Sequence, residues 1–149
     1  MDIKTSQEDL DKAISMAQFK KVVKRLEKGL DTNVLEKGVS LSGGEKQRLA
    51  LARGLLAAKK SDIVLLDEPT SSVDSLNELK IHEDVFKEFK EKTIISSIHR
   101  LHLLEKFDYI YMFEKGRIIT QGKLSDLKKN PKFQFLWKKY RIEESEEKS

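Results

Sequence analysis

The sequence predicts an α/β fold. Two short segments, residues 63–66 and 93–98, are largely apolar and are flanked by polar, turn-forming residues, as strands buried on both faces of a sheet are. Segments whose apolar residues recur at helical spacing lie before the first of these runs and between the two. Helices that alternate with buried strands are typical of parallel sheets covered by helices.

Composition restricts the class of protein. The 149 residues give one domain's length, and 36% charged with 38% hydrophobic residues is the balance typical of soluble proteins. No apolar run is long enough to span a membrane, and the first residues lack a signal-peptide pattern. The absence of cysteine excludes disulfides and thiolate metal sites, and it fits the cytosol. Because the net charge is only +4 and lysines are scattered among acidic residues, no nucleic-acid partner is expected.

Two amphipathic helices are predicted at the start of the chain. Thr5 and Glu8 have the spacing of a helix cap, and Gly29 is a suitable stop for the second helix. Residues 30–41 are predicted to be irregular. The apolar positions of the two helices are Leu10, Ala13, Ile14 and Ala17, and then Phe19, Val22, Val23 and Leu26.

The stretch 41–48, Leu-Ser-Gly-Gly-Glu-Lys-Gln-Arg, predicts a loop that opens directly into a helix over 43–59. Ser42 and Glu45 have capping-box spacing, so each side chain can satisfy a backbone N–H of the other's segment. Gly43 and Gly44 carry no side chains, which allows a phosphate to approach the backbone. Free N–H groups and the helix dipole then form an anion site, although the same stretch is also compatible with an ordinary helix start.

Acidic residues follow the first predicted strand. Asp67 and Glu68 stand at its carboxyl end, where ligands gather in open α/β sheets. Ser75 and Glu78 have capping spacing and predict a helix over 75–90, and His99 follows the second strand. The remaining predicted elements are a short helix, two hairpin strands, two C-terminal helices and a disordered acidic tail, at 100–106, 109–113, 117–120, 124–127, 133–140 and 141–149.

Four motifs occur in a fixed order: Leu-Ser-Gly-Gly-Glu at 41–45, Leu-Leu-Asp-Glu-Pro-Thr at 65–70, Ser-Ser-Val-Asp at 71–74, and His99. Together they resemble the C-terminal part of the nucleotide-binding domain of an ATP-binding cassette (ABC) transporter of the exporter type. In that family they are the signature, the Walker B strand, the D-loop and the switch histidine. The resemblance runs from about residue 9 to residue 140. Residues 29–38 are similar to an exporter loop that touches the transmembrane partner, although one glycine is missing, and a plain surface loop is the alternative.

The resemblance implies roles for three residues in ATP hydrolysis. Glu68 would position the attacking water, Asp67 would be the Mg²⁺ partner through water, and His99 would contact the γ-phosphate. Taken singly, an Asp-Glu-Pro sequence often just ends a strand, and a lone histidine at a strand end is usually structural. His82 and His102 have no motif partner and are expected to be surface or core histidines.

The resemblance also implies ATP-binding residues that act between two domains. Ser42, Gly43, Gly44 and Glu45 would contact ATP held by the phosphate loop of a second nucleotide-binding domain. Asp74 would lie across the dimer interface. The implied cofactors are ATP and Mg²⁺.

A phosphate loop of the form GxxxxGK(S/T) does not occur in the 149 residues. In the family that loop precedes the first helices seen here, so the expected fold is a partial P-loop NTPase fold that lacks the N-terminal phosphate-loop portion. Residues 1–140 would be the C-terminal part of one nucleotide-binding domain, with 1–58 in the helical subdomain and 61–140 in the sheet core and C-terminal helices. By itself, the chain is expected to bind ATP weakly or not at all and to be inactive.

The implied function of the intact protein is to couple ATP binding and hydrolysis to transmembrane transport. Its partners would be a second nucleotide-binding domain and transmembrane domains, which would hold it at the cytoplasmic face of a membrane. Two alternatives stay open at this point. One is a non-catalytic module that completes a partner's ATP site, and the other is a repair, chromosome-maintenance or translation-factor ATPase of the same family.

Overall fold

The computed structural model describes residues 5–34 and 40–146, with side chains described to residue 138. Part of the predicted exporter-type loop, residues 35–39, lies outside the described residues. The chain forms two compact units, residues 1–97 and 98–149. This division falls elsewhere than the sequence-based boundary near residues 58–61, because the strand after that boundary shares a core with the helices before it. The assignment of segments to subdomains stays a prediction.

The first unit begins with two helices, α1 (Gln7–Met16) and α2 (Lys20–Arg25). Ser6, not Thr5, caps α1, because its side chain accepts a hydrogen bond from the N–H of Asp9 at 3.1 Å. The second helix ends before Gly29, which instead starts a 3₁₀ turn with φ +51°.

The third helix, α3 (Gly43–Ala58), starts at Ser42 with the predicted capping box. Its C-terminal end is closed by Lys92, whose Nζ donates to the carbonyls of Ala58, Lys59 and Ser61 at 2.7–2.8 Å. The bonds to Ala58 and Lys59 satisfy acceptors that a helix end leaves without intrahelical partners. Lys59, the C-cap residue of this helix, forms ion pairs with Asp9 and Glu88.

A strand–helix–strand unit follows, made of β1 (Ile63–Asp67), α4 (Ser75–Glu88) and β2 (Thr93–Ser97). The two strands are parallel and in register, so that Asp67 lies opposite Ser97 at their carboxyl ends. The predicted cap of α4 at Ser75 is wrong by one residue, since Asp74 is the N-cap and accepts from the N–H of Asn77 at 3.1 Å.

The prediction that the strands are buried on both faces is also wrong for the described part of the chain. Val64 is 3% exposed, whereas Leu65, on the opposite face of β1, is 72% exposed. Ile63 and Ile95 share that exposed face. The reason is that the described helices cover only one face, and within the described residues each strand pairs with one neighbour. The buried face belongs to a core formed by Ile14, Met16, Ala17, Phe19, Val22, Leu41, Leu51, Ala52, Leu55, Ala58, Val64, Val73, Ile81, Val85 and Phe89.

The second unit begins with a 3₁₀ helix, Leu101–Lys106, and continues with the antiparallel strands β3 (Ile110–Glu114) and β4 (Arg117–Gly122). Lys115 and Gly116 join the strands with φ of +48° and +75°, as in the two-residue hairpin turns that match strand twist.

Two C-terminal helices complete this unit, α5 (Leu124–Leu127) and α6 (Pro131–Glu146). Phe133 is 1% exposed and contacts Trp137, whereas Phe135 is 71% exposed and does not join the core. The helical backbone extends past residue 140 into the segment predicted as a tail. Among the described residues, no helix combines the length and the apolar character needed to cross a membrane.

Candidate functional site

The start of α3 presents backbone N–H groups to the outside. The Ser42 hydroxyl accepts from the N–H of Glu45 at 3.3 Å, and the carbonyl of Ser42 accepts from the N–H of Lys46 at 2.9 Å. The N–H groups of Gly43 and Gly44 have no hydrogen-bond acceptor within the described residues. Ser42 and Gly43 are exposed. This end of a 16-residue helix therefore offers two free donors and the positive end of the dipole to an anion.

Glu45 is held inside the chain at the same helix start. Its Oε2 accepts from the N–H of Ser42 at 2.9 Å, and its Oε1 lies 2.9 Å from Nη2 of Arg25 on α2. The hydrogen bond from the Ser42 N–H, followed by the Arg25 guanidinium, lowers the pKa of this carboxyl below its ordinary value. The observed role of Glu45 is to hold the helix start, and its contact with ATP stays a prediction.

Gly44 touches the loop after β1. A Cβ atom at Gly44 would lie 2.9 Å from the carbonyl oxygen of Ser72, whereas one at Gly43 would meet nothing within 4 Å. The absence of a side chain therefore has a different consequence at each of the two adjacent glycines. Gly44 permits close packing inside the chain, and Gly43 leaves the outer surface of the helix start open.

Asp67 and Glu68 occupy the carboxyl end of β1 and share one partner on β2. The Ser97 hydroxyl donates to Oδ1 of Asp67 at 2.6 Å, and its oxygen accepts from the N–H of Glu68 at 3.0 Å. Asp67 is exposed and Glu68 half-buried. An exposed carboxylate is an oxygen ligand of the kind Mg²⁺ prefers, either directly or through water. Since no cluster of three potential metal-ligating side chains occurs among the described residues, this metal role stays a prediction for Asp67 alone.

Gln47 links the helix start to the loop after β1. Its Nε2 donates to the carbonyl of Glu68 at 3.0 Å and to the hydroxyl of Ser71 at 2.8 Å, and its Oε1 accepts from the N–H of Ser72 at 3.0 Å. Gln47 was not among the functional residues predicted from the sequence. Its position three residues after Gly44 was the available signal, because residues i and i+3 share one helix face.

Asp74 caps α4 rather than standing free. Its Oδ1 and Oδ2 accept from the backbone N–H and the side-chain Nδ2 of Asn77 at 3.1 and 2.6 Å. The Asn77 side chain, followed by its backbone N–H, lowers the pKa of the Asp74 carboxyl. The residue is exposed, and its role across a dimer interface stays a prediction.

A buried polar cluster lies beneath the same loop. Thr70, Glu78 and His82 are 3%, 3% and 1% exposed. The Thr70 hydroxyl donates to Oε1 of Glu78 at 2.7 Å and lies 3.4 Å from Nε2 of His82. His82 is thus a core histidine, one of the two alternatives expected. Since Thr70 follows Pro69 in the Walker B motif, the cluster ties this motif to α4.

His99 and His102 belong to the second unit and are exposed. The predicted γ-phosphate contact of His99 stays a prediction. In the first unit, by contrast, the motif residues 42–45 and 67–72 meet through Gln47 and Gly44. That meeting places a helix start with two free N–H groups beside a loop that carries two carboxylates.

Comparison with known proteins identifies the family that the chain resembles. A family model described as ABC transporter matches residues 2–71. An export ATP-binding/permease protein of Rickettsia typhi is 40% identical over 127 residues, which are 85% of this chain and 22% of that protein. The ATP-dependent lipid A-core flippase of Pasteurella multocida is 43% identical over 124 residues, or 83% of this chain and 21% of that protein.

Solved structures give the same result. A bacterial Atm1-family ABC exporter with ATP bound superposes with a TM-score of 0.78 at 35% identity, over 91% of this chain and 24% of that one. The α/β fold predicted from the sequence is therefore that of part of an ABC exporter. The chain spans between a fifth and a quarter of the length of these relatives.

Proposed function

The chain belongs to the ABC transporter family, and on this premise we propose that it is the signature and Walker B portion of an ATPase that drives export across a membrane. The named relatives are exporters and ATP-dependent flippases. They do not favour the alternatives of a non-catalytic module or of a repair or translation-factor ATPase.

The observation that carries the proposal is that the start of α3, with its free N–H groups, lies beside the end of β1 and the loop after it, which carry Asp67 and Glu68. Gly43 and Gly44 present N–H groups that would bind the phosphate oxygens of ATP, and the hydroxyl of Ser42 holds the first turn in place. The absence of a side chain at Gly43, with open space around it, permits a close approach.

Glu68 would orient the water that attacks the γ-phosphoryl group, since its carboxylate stands at the carboxyl end of β1, where α/β proteins place their reacting groups. Asp67 would help to hold Mg²⁺ through water. The ion, when bound, neutralises charge on the phosphate oxygens. His99 would contact the γ-phosphate, and Asp74 would face the second nucleotide-binding domain.

The phosphate loop itself would come from outside these 149 residues, since no GxxxxGK(S/T) occurs in them. In this arrangement the chain has the partial P-loop NTPase fold without the N-terminal phosphate-loop portion. Its residues 42–45 act on ATP bound by a second nucleotide-binding domain. Transmembrane domains would anchor the assembly, with this chain at the cytoplasmic face. The exported substrate would be selected by those domains.

The test is ATP hydrolysis by the membrane complex purified through a tag on this chain. The wild-type complex is expected to hydrolyse ATP, and the Glu68→Gln variant to bind ATP but lose turnover, because the substitution keeps the size and removes the charge that orients water. Glu83→Gln, an exposed glutamate on α4, is the matched control and should keep wild-type turnover. Turnover at the wild-type rate in Glu68→Gln would contradict the proposal.

A further inference from the structure

Glu68 has a backbone conformation that non-glycine residues rarely adopt. Its φ is +42°, in the left-handed region. Such a conformation is costly and persists where neighbouring groups hold it. Here the N–H of Glu68 donates to Ser97 on β2 at 3.0 Å, and its carbonyl accepts from Gln47 on α3 at 3.0 Å. Both peptide groups of the residue are therefore held by side chains from other elements.

Gln47 does more than bind this one carbonyl. Its side-chain amide also donates to Ser71 and accepts from Ser72, so that it binds three groups within five residues of the loop. The pattern also determines the orientation of the amide. The N–H of Ser72 can only donate. The carbonyl of Glu68, which also accepts from the N–H of Ser71 at 3.3 Å, can only accept, so a flipped amide would place like groups against each other.

The position of Gln47 on α3 makes it a link between two functional segments. It lies one turn after Gly43, whose free N–H belongs to the proposed phosphate-binding start of the helix. On the same face, Gly44 packs against Ser72. A displacement of the start of α3 is therefore transmitted to the loop after β1 by two routes. One is the hydrogen-bonded side chain of Gln47, and the other is the direct packing of Gly44 against Ser72.

We infer that Gln47 is a positioning residue for ATP hydrolysis. It holds the left-handed backbone of Glu68, and it couples the seating of phosphate at the start of α3 to the direction of the Glu68 carboxylate. Gln47 itself is not a catalytic residue. This inference rests on the proposed function, because it assigns Glu68 the task of orienting water.

The first test measures the loop in the 149-residue chain. Gln47→Met keeps the length and helix propensity of the side chain and removes all three hydrogen bonds. The amide hydrogen of Ser72, followed by NMR, is expected to exchange at least roughly tenfold faster, since its acceptor is lost. Gln134→Met is the matched control, because it also removes a glutamine Nε2–carbonyl bond, that to Lys128 at 2.8 Å, but in the second unit. It should leave Ser72 exchange unchanged.

The second test measures turnover in the tagged membrane complex. Gln47→Met is expected to lower kcat at least roughly tenfold while the KM for ATP stays within about twofold, since misplacing a reacting group affects the chemical step more than binding. Gln47→Glu retains an acceptor for Ser72 but presents a carboxylate to the carbonyl of Glu68. It should keep Ser72 protected and still lose kcat. A purely structural role would lower the yield of folded complex and leave kcat per folded complex unchanged.

The outcomes separate the inference from the proposed function. Wild-type Ser72 exchange together with wild-type kcat in Gln47→Met, while Glu68→Gln is inactive, overturns the inference alone. Faster exchange with unchanged kcat also overturns it, since the loop would then move without consequence for the reaction. A wild-type complex that hydrolyses no ATP overturns the proposed function and, with it, the catalytic part of this inference. The exchange measurement still decides whether Gln47 holds the loop.

Discussion

Gly44 and Ser72 approach each other so closely that a Cβ atom at Gly44 would lie 2.9 Å from the carbonyl oxygen of Ser72. That distance is too short for a real Cβ contact, and the atom it would meet is backbone, which cannot move aside as a flexible side-chain end can. The helix α3, which begins in the signature motif, and the D-loop, residues 71–74, are therefore in direct contact within one chain. Gly43, one residue earlier, makes no such contact.

The two glycines should therefore respond differently to substitution. Gly44→Ala is expected to lower the free energy of unfolding by about 1–3 kcal/mol, because the loop must shift to admit the methyl group. Gly43→Asp is expected to change it by less than about 0.5 kcal/mol, since the side chain enters open space at a helix start. Urea denaturation of the chain measures both values. In the membrane complex, Gly43→Asp should prevent ATP-driven closure of the dimer, because its charge opposes phosphate. Equal stability losses at both positions would show that Gly43 is also a packing residue.

By itself, the 149-residue chain should bind Mg-ATP weakly and hydrolyse none. The reason is that, within the described residues, the start of α3 offers two free N–H groups, and the sequence contains no phosphate loop. Isothermal titration calorimetry should detect no binding at micromolar ATP. A single site with a Kd of roughly micromolar or tighter would contradict this expectation and would require a different phosphate cradle within the chain.

The buried cluster of Thr70, Glu78 and His82, beneath the loop after β1, should contribute to stability through its hydrogen bonds. Thr70→Val keeps the shape of the side chain but deprives the 3%-exposed Glu78 of the donor at 2.7 Å. The expected loss is about 1–3 kcal/mol of unfolding free energy, the cost of leaving a buried polar group short of a partner. Thr93→Val, at an exposed position on β2, is the control and should change stability by less than about 0.5 kcal/mol. Similar values for both variants would mean that the cluster relaxes or admits water.

The capping box of α3 should weaken in acid. The pKa of Glu45 is lowered in the folded chain, first by the Ser42 N–H and then by Arg25. A carboxyl with a lowered folded pKa adds stability that is complete above its unfolded pKa, and this stability is lost as the pH falls through the folded pKa. The stability difference between wild type and Glu45→Gln should therefore shrink as the pH drops from about 6 to about 3, in urea titrations at each pH. Glu114→Gln, at an exposed position on β3, is the control. A difference that stays constant with pH would rule out the ionised Glu45 as the source of the stabilisation.

Features that depend on neighbouring residues were predictable. The capping box of Ser42 and Glu45, the start of α3 at Gly43, and the hairpin turn at Gly116 all follow from side-chain chemistry within four residues. Even here, the choice between adjacent caps was wrong at Ser6 and Asp74. Either of two neighbouring polar residues can cap a helix, and the surrounding packing decides which one leaves the helical conformation.

The sequence by itself determined the α/β class, the order of the motifs and the family, because local periodicity and short runs of residues are enough to identify all three. Only the tertiary structure decided that Gln47 holds Glu68, that Ser97 bonds Asp67, and that a single sheet face is buried. The hydrogen bonds from Gln47 to Glu68 and from Ser97 to Asp67 join residues 21 and 30 positions apart. Their geometry depends on how α3 and β2 pack beside β1. The hydrophobic effect that drives this packing is non-directional, so the pattern of apolar residues does not specify which side chains come into contact. The pattern specifies which residues are buried, and only the folded chain specifies which polar side chains then meet.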